Sequence, residues 1–347
     1  MNTYDIAIIG AGVAGLTAAR FLSPHVKVVV IESEKQLGGL AWQLGCKATD
    51  TCLYCGVCHS VNLKRDLGDL SFLPFEVITG HPLLAMAKNN ENYLLTLKNG
   101  QPITARSILI ATGIQPFDAR HASQYGYGTF PRVYTGVEIE KNLNTIGVEA
   151  FASYQKIAFI QCVGSRNFKE KRGFCSRVCC RYALRIAEDL GYRFPHLHID
   201  MYYMDLQMLG GKKEKLSDIS QHRVKLIRHL PYRVESPQGK PVLWFEDDRQ
   251  VTQAEYDAVI LSVGMVPGPG TAAIVDILRV NVDDAGFIKD YGEGDTSRER
   301  IYVCGAASGP KDIETTIAEG KKIAGRILTF QLNLEAASPE PTVNYKE

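Results

Sequence analysis

Nine cysteines stand in this 347-residue chain, and eight fall into two groups. Cys162, Cys175, Cys179 and Cys180 form one group, Cys46, Cys52, Cys55 and Cys58 the other, and Cys304 stands alone. Thiolates are redox partners and soft metal ligands. The chain does not open on the basic start and cleavage site of a secretory signal, so metal or redox use is expected before a disulfide framework. Cys162 closes the apolar run Lys156-Ile-Ala-Phe-Ile-Gln161 and is expected at the C-terminal end of a strand, where ligands of open α/β sheets collect. Cys175, Cys179 and Cys180 follow at the start of a helix expected to run from Arg177 to Leu190. Cys175 and Cys179 would share a face at i, i+4. Four converging thiolates could hold a [4Fe–4S] cluster, with the helix N-terminus offsetting its negative charge. Buried structural cysteines are the plainer alternative. The run Cys52-Leu-Tyr-Cys55-Gly-Val-Cys58 suits part of a ferredoxin-type site, with Cys46 as a fourth ligand. A redox disulfide between Cys52 and Cys55, structural cysteines and support for the main cluster all stay open.

A second chemistry is written in Gly10-Ala-Gly12-Val-Ala-Gly15, which follows the apolar run Asp5-Ile-Ala-Ile-Ile-Gly10 and opens a helical stretch to about Ser23. Gly10 permits the tight turn, Gly12 lets backbone approach a pyrophosphate, and Gly15 lets the helix pack on the strand. The helix N-terminus then stabilises phosphate charge. Glu32 ends the next apolar run, where a carboxylate binds a ribose hydroxyl. NAD and FAD both suit this fingerprint.

The elements that must position these groups occur twice. Strand-like runs at Val26 to Ile31, Phe75 to Ile78, Tyr93 to Lys98 and Ile103 to Ile110 follow the first helix and end at Ala111-Thr112-Gly113. After Lys156–Gln161 and its helix come His198 to Met204, Val224 to Ile227, Pro241 to Phe245 and Ala258 to Val263, ending at Gly264. Asp5 and Lys156 are 151 residues apart, and so are Gly113 and Gly264. Two related α/β units are expected, Rossmann-like, with parallel sheets and β-meander insertions. Met265 to Thr271 would return the chain to the first unit, which a strand at Arg300 to Cys304 and a helix from about Asp312 complete. The expected division is 1–118 plus 268–333 for the nucleotide unit, 119–267 for the cysteine unit, and a loose tail over 334–347.

On the 151 offset, Gln161, Val163 and Arg166 replace the three glycines, so side chains crowd the place where a second pyrophosphate would need bare backbone. Arg166, Lys169, Lys171 and Arg172 form a basic loop between the cysteines. It could bind a 2′-phosphate, raise a cluster's potential, dock a partner, or simply be solvated. The net charge of +1 and the 45% hydrophobic, 22% charged composition give no sign of nucleic acid or an anionic membrane as partner. The longest uncharged apolar stretch, Ile6 to Ala19, is too short to span a bilayer and is broken by glycines. The eight histidines show no metal-ligand spacing, and a Ser–His–Asp arrangement is not visible.

With Gly38-Gly39 and Gln43 beyond Glu32, and Ala111-Thr112-Gly113 closing the last strand, the first unit resembles the two-dinucleotide-binding flavoproteins, which include thioredoxin and glutathione reductases. The resemblance implies FAD, held by Gly10, Gly12, Ala14, Gly15, Glu32, Ser33, Gly38, Gly39, Gln43, Leu83, Ala111, Thr112 and Gly113, and by Gly305, Ala306, Lys311, Asp312 and Ile313 at the late strand and helix. Many relatives carry Gly-Asp where this chain has Gly305-Ala306, which puts the usual ribityl contact in question. Phe159-Ile-Gln-Cys-Val-Gly-Ser-Arg166 and Phe174-Cys-Ser-Arg-Val-Cys-Cys180 resemble the flavin-carrying A subunit of heterodisulfide reductases, in the short form of sulfur-oxidiser complexes. Tyr125-Gly-Tyr-Gly128, Tyr202-Tyr-Met-Asp205 and Gly309-Pro-Lys-Asp-Ile313 fit the same group. This resemblance implies a [4Fe–4S] cluster on Cys162, Cys175, Cys179 and Cys180 and electron exchange with other iron–sulfur subunits. The lack of a spanning stretch and of a secretory start gives a cytoplasmic location without membrane insertion as the expectation, and the resemblance to the two-dinucleotide-binding fold implies a homodimer. A stand-alone NAD(P)H-dependent disulfide reductase using Cys52 and Cys55, and a scaffold with purely structural FAD, are the alternatives.

Overall fold

The computed structural model describes residues 2–44, 57–67, 73–89, 91–143, 146–207, 224–247 and 250–337. Cys46, Cys52 and Cys55 lie outside them, and so does 338–347 of the expected tail.

The chain builds two α/β units, as the repeat predicts. The first sheet, seven strands among the described residues, runs Glu76–Thr79, Val28–Glu32, Asn2–Ile9, Pro102–Ile110, Asn92–Leu97, Leu83–Asn89, with Ile301–Val303 also on Pro102–Ile110. Burial along Pro102–Ile110 shows how one strand serves two neighbourhoods. Its first half alternates buried and half-buried where it pairs antiparallel with Asn92–Leu97. Its last four residues are all buried, between the parallel strands Asn2–Ile9 and Ile301–Val303. A strand covered on both faces reads as a continuous apolar run, and a meander open on one side alternates.

The second sheet is parallel throughout, in the order Val224–Ile227, His198–Tyr202, Lys156–Val163, Ala258–Val263, Val133–Thr135. Its three-stranded meander, Arg233–Glu235, Val242–Asp247 and Gln250–Glu255, stands as a separate sheet. The units complete themselves differently. Ile301–Val303 follows the body of the first unit in sequence, whereas Val133–Thr135 precedes the body of the second. The two chain crossings, Ile114–Pro116 and Met265–Pro267, pair antiparallel, so the return segment begins as a strand and not as a bare linker.

Two expectations are corrected. The helix after the cysteine loop spans Cys179–Arg193 with Val178 as its N-cap. Cys175 therefore lies in the preceding loop and shares no helix face with Cys179, because positive φ at Arg177 (64°) turns the chain before the helix can start. The last helix, Ile313–Ala337, continues past 333, so 334–337 belong to it. No helix among the described residues is long and apolar enough to cross a membrane.

Candidate functional site

The glycine turn of the first unit is a cradle with specific vacancies. Gly10 sits at φ +107° with its α-carbon against the Ala111 carbonyl, and a β-carbon there would overlap that oxygen. A β-carbon on Gly15 would overlap the Gly10 carbonyl, so only glycine lets helix Val13–Leu22 come this close to its strand. At Gly12 a β-carbon would meet nothing within 4 Å. That open space at a helix N-terminus has room for a pyrophosphate.

Glu32, Gly38, Gly39 and Gly305 of the predicted residues pack on the same turn. Glu32 is buried at the end of its strand, its Oε2 accepting from Ala11 N at 2.8 Å and its Oε1 from Glu34 N at 2.9 Å and Ser33 Oγ at 3.1 Å. Gly38 N donates to Ala11 O at 2.7 Å, and a β-carbon on Gly39 would lie 3.4 Å from Gly12 Cα. Gly305 packs on Ala14 so closely that a side chain would overlap it. Thr112 Oγ1 lies 3.1 Å from Thr271 Oγ1, and Gly113 O accepts from Gly268 N at 3.3 Å, tying the strand end to the return segment. Lys311 Nζ donates to Gly305 O (2.9 Å) and Ser308 Oγ (2.6 Å) and pairs with Glu319. Asp312 caps helix Ile313–Ala337 by accepting from Thr315 N at 2.8 Å. Ala306 is half-buried and Gln43 exposed beside the cradle's glycines in sequence. Leu83 instead sits in the apolar core that also holds Ile31 and Leu97, so its side chain serves packing.

Both Glu32 carboxylate oxygens accept from N–H or O–H groups, and replacing Glu32 with Gln puts an NH2 donor in place of one of them. FAD affinity is expected to fall about tenfold, with a lowered Tm of the flavin-free protein, since a buried donor facing donors costs about 1–3 kcal/mol. Fluorescence titration with FAD and thermal melts check this; unchanged values in both would contradict the role.

In the second unit the equivalent strand runs three residues past the position matching Ile9, and its turn is built from side chains. Cys162 adopts φ 61° within Lys156–Val163, where the pairing with Ala258–Val263 shifts register. Such a left-handed, bulged residue re-aims its side chain. Gln161 is fully buried, and neither its Oε1 nor its Nε2 has a hydrogen-bond partner; Ser165 Oγ is likewise buried and unpartnered. Buried polar groups without protein partners call for a cause, and a ligand or an ordered water at this turn would supply one.

The four predicted cysteines come together at this edge. Cys179 and Cys180 are buried on the first turn of their helix, Cys162 is buried at the bulge, and Cys175 is half-buried in the loop. All four are free thiols. Cys179 hydrogen-bonds to both Cys162 and Cys180 and holds its own proton well above the usual thiol range. The bond from Cys179 lowers Cys162, and the bond it makes to Cys180 brings that thiol down to about 7. Burial pushes Cys175 up, against the bond its sulfur accepts from Arg177 N at 3.3 Å. Cys180 Sγ also lies 4.0 Å from Asp205 O, and Asp205 is ion-paired with Arg166. Tyr182, on the same helix, donates to Val263 O at 2.8 Å and closes the inner wall.

Among the described residues no three His, Cys, Asp or Glu side chains are arranged around one point for a single metal ion. The donor set is four soft thiols at a helix N-terminus, with orphaned buried polar groups at Gln161 and Ser165, and these residues fit a [4Fe–4S] cluster. Of the second cysteine group only Cys58 is described, exposed on helix Val57–Leu67. Burial holds the Cys304 thiol far up, as suits an inert core residue.

Residues 4–149 match the family model described as pyridine nucleotide-disulphide oxidoreductase. An iron-sulfur A subunit of the CoB–CoM heterodisulfide reductase of Methanopyrus kandleri is 34% identical over 69% of this chain and 39% of its own length. The A subunit of the H(2):CoB-CoM heterodisulfide,ferredoxin reductase of Methanothermobacter marburgensis is 32% identical over 65% of this chain and 37% of its own. Over the matched span the chain is similar to the A subunits of heterodisulfide reductases. The chain spans less than two fifths of these relatives' length. Thioredoxin reductase of Lactococcus lactis (FR conformation) shares its fold at a TM-score of 0.64 and 18% identity, over 95% of this chain and 99% of that one. Thioredoxin reductase of T. acidophilum gives 0.62 and 14%, over 96% and 100%. The two-dinucleotide-binding flavoprotein fold is thereby shown. Family match, fold and glycine cradle together support FAD.

Proposed function

We propose that this chain is an FAD- and [4Fe–4S]-containing electron-transfer subunit of a heterodisulfide reductase-like complex in sulfur metabolism, passing electrons between its flavin and iron–sulfur partner subunits. One observation carries the reading. The first unit keeps an open glycine cradle, and the second has filled the equivalent turn with Gln161, Val163 and Arg166 and placed four thiols beside it. Bound FAD supplies the exchange between two-electron and one-electron chemistry. The residues 1–118 and 268–337 form the flavin unit and 119–267 the cluster unit, in a cytoplasmic homodimer. Gly10, Gly12 and Gly15 leave room for the pyrophosphate, Glu32 orders the turn, and the N-terminus of Ile313–Ala337 faces the flavin. Cys162, Cys175, Cys179 and Cys180 hold the cluster.

The basic loop between the cysteines gives an electron partner somewhere to dock. Asn167 and Arg172 exchange backbone bonds at 2.8 and 2.9 Å, closing a finger whose Phe168 is 85% exposed and whose Lys169 and Lys171 are exposed beside it. Arg172 instead lies over the Phe117 ring, 4.8 Å from its centroid. Charge reversal by Lys169→Glu with Lys171→Glu is expected to slow electron exchange with an acidic one-electron carrier about tenfold at low salt, the difference closing at high salt. Stopped-flow rates against ionic strength check it; equal rates at low salt would move the docking face elsewhere.

Anaerobic addition of NADH or NADPH tests the function itself. The flavin is expected to stay oxidised with either nucleotide and to be reduced by a low-potential one-electron donor. Rapid bleaching by NAD(P)H would overturn the reading in favour of a stand-alone reductase.

A further inference from the structure

The loop and helix that carry the cysteines also grip the other unit at two separate points and the return crossing at a third. Arg181, the residue after Cys180, lies with its Nη1 3.5 Å from Asp312 Oδ2, and the two side chains are only 12% and 10% exposed. Phe174, the residue before Cys175, packs edge-on against Phe287 with centroids 5.4 Å apart. Ser176 Oγ accepts from Met265 N at 2.9 Å on the return crossing. A β-carbon on Gly264, just before the crossing, would overlap that hydroxyl and force it to move.

Asp312 does two things with two oxygens. Its Oδ1 caps the long helix through Thr315 N, and a capping Asx needs no cation for that. Its Oδ2 is left to reach across to Arg181. The chain crosses between the units only through two short segments, Ile114–Pro116 and Met265–Pro267, which pair with each other as a three-residue ladder. Units joined in this way rotate against one another by default unless a specific contact holds them. A mostly buried ion pair is such a contact, because parting it strands a carboxylate in a poorly solvated place.

We propose that Arg181 is a positioning residue: its pair with Asp312 locks the cysteine unit in one orientation against the N-terminus of the flavin-site helix. This rests on the electron-transfer reading for its purpose, since transfer between two fixed centres needs a fixed separation. The lock itself is a property of this chain's own side chains.

Hydrogen–deuterium exchange on the full flavin-loaded protein tests it. Arg181→Met is expected to speed amide exchange about tenfold across Ile114–Pro116, Met265–Pro267 and the first turn of Ile313–Ala337, with Asn2–Ile9 and Lys156–Val163 unchanged. Arg181→Lys restores most of the protection. Arg193→Met, which removes an ion pair with Asp189 inside the same helix, leaves the crossings as they were. If Arg181→Met disturbs both sheets, Asp312→Asn retains the cap and removes only the charge. Crossings that exchange at the wild-type rate in both variants overturn the lock. Iron measured on the same samples separates the two ideas. Faster crossings in iron-free protein keep the lock and sink the electron-transfer reading; slow crossings in iron-loaded variants do the reverse.

Discussion

Cys179→Ala protein is expected to keep its FAD and lose its iron, falling from about four iron atoms per flavin to fewer than one. Cys179 is the middle thiol of the group: it hydrogen-bonds to both Cys162 and Cys180 and is buried on the first helical turn. Alanine keeps the helix, removes one soft ligand, and leaves the flavin cradle of the other unit intact. Cys304→Ala is the control, a buried thiol at the end of Ile301–Val303, apart from the cysteine loop, and it is expected to retain iron. Iron and flavin analysis with the visible spectrum reads both. Full iron in Cys179→Ala protein would make that thiol a packing residue.

The second large effect lies in the cradle. Gly12→Val is expected to fold normally and to bind FAD about 100-fold more weakly, a loss of about 2.7 kcal/mol. Its added β-carbon meets no protein atom within 4 Å, and the extended backbone of Gly12 (φ −80°, ψ −168°) accepts a β-branched residue. The side chain would instead take the space left for the pyrophosphate. Gly15→Ala makes the contrast, because its methyl overlaps the Gly10 carbonyl and pushes the helix off its strand. That variant is expected to lower the Tm of flavin-free protein, and Gly12→Val is not. FAD titration and thermal melts on the pair decide between a nucleotide cradle and a merely tight turn. Unweakened FAD binding by Gly12→Val would argue for the turn.

The strands that hold these sites were legible because they are covered on both faces. Val28–Glu32 and Ala258–Val263 are buried at every position and read as near-continuous apolar runs, broken only by Glu32 and Ser262. Edge strands lack that signal. Gln250–Glu255 and Leu83–Asn89 are largely exposed, and their pairing with Val242–Asp247 and Asn92–Leu97 makes them strands. Val133–Thr135 is three residues long and lies ahead of its own unit, which the 151-residue offset does not suggest. At the sites, glycines announced the cradle because each fills a steric need that sequence spacing encodes. The cysteine loop was legible as four converging thiols but not as geometry. Positive φ at Cys162 and Arg177 decides where those thiols point, and neither residue type signals it. The Arg181–Asp312 pair joins residues 131 apart on different units, and only the docking of the two sheets reveals it.

Iron and acid-labile sulfide per FAD in anaerobically prepared protein test the central claim most directly. About four of each per flavin, with all four of Cys162, Cys175, Cys179 and Cys180 needed to hold them, is the expected result. Flavin-loaded protein with iron near zero would contradict it.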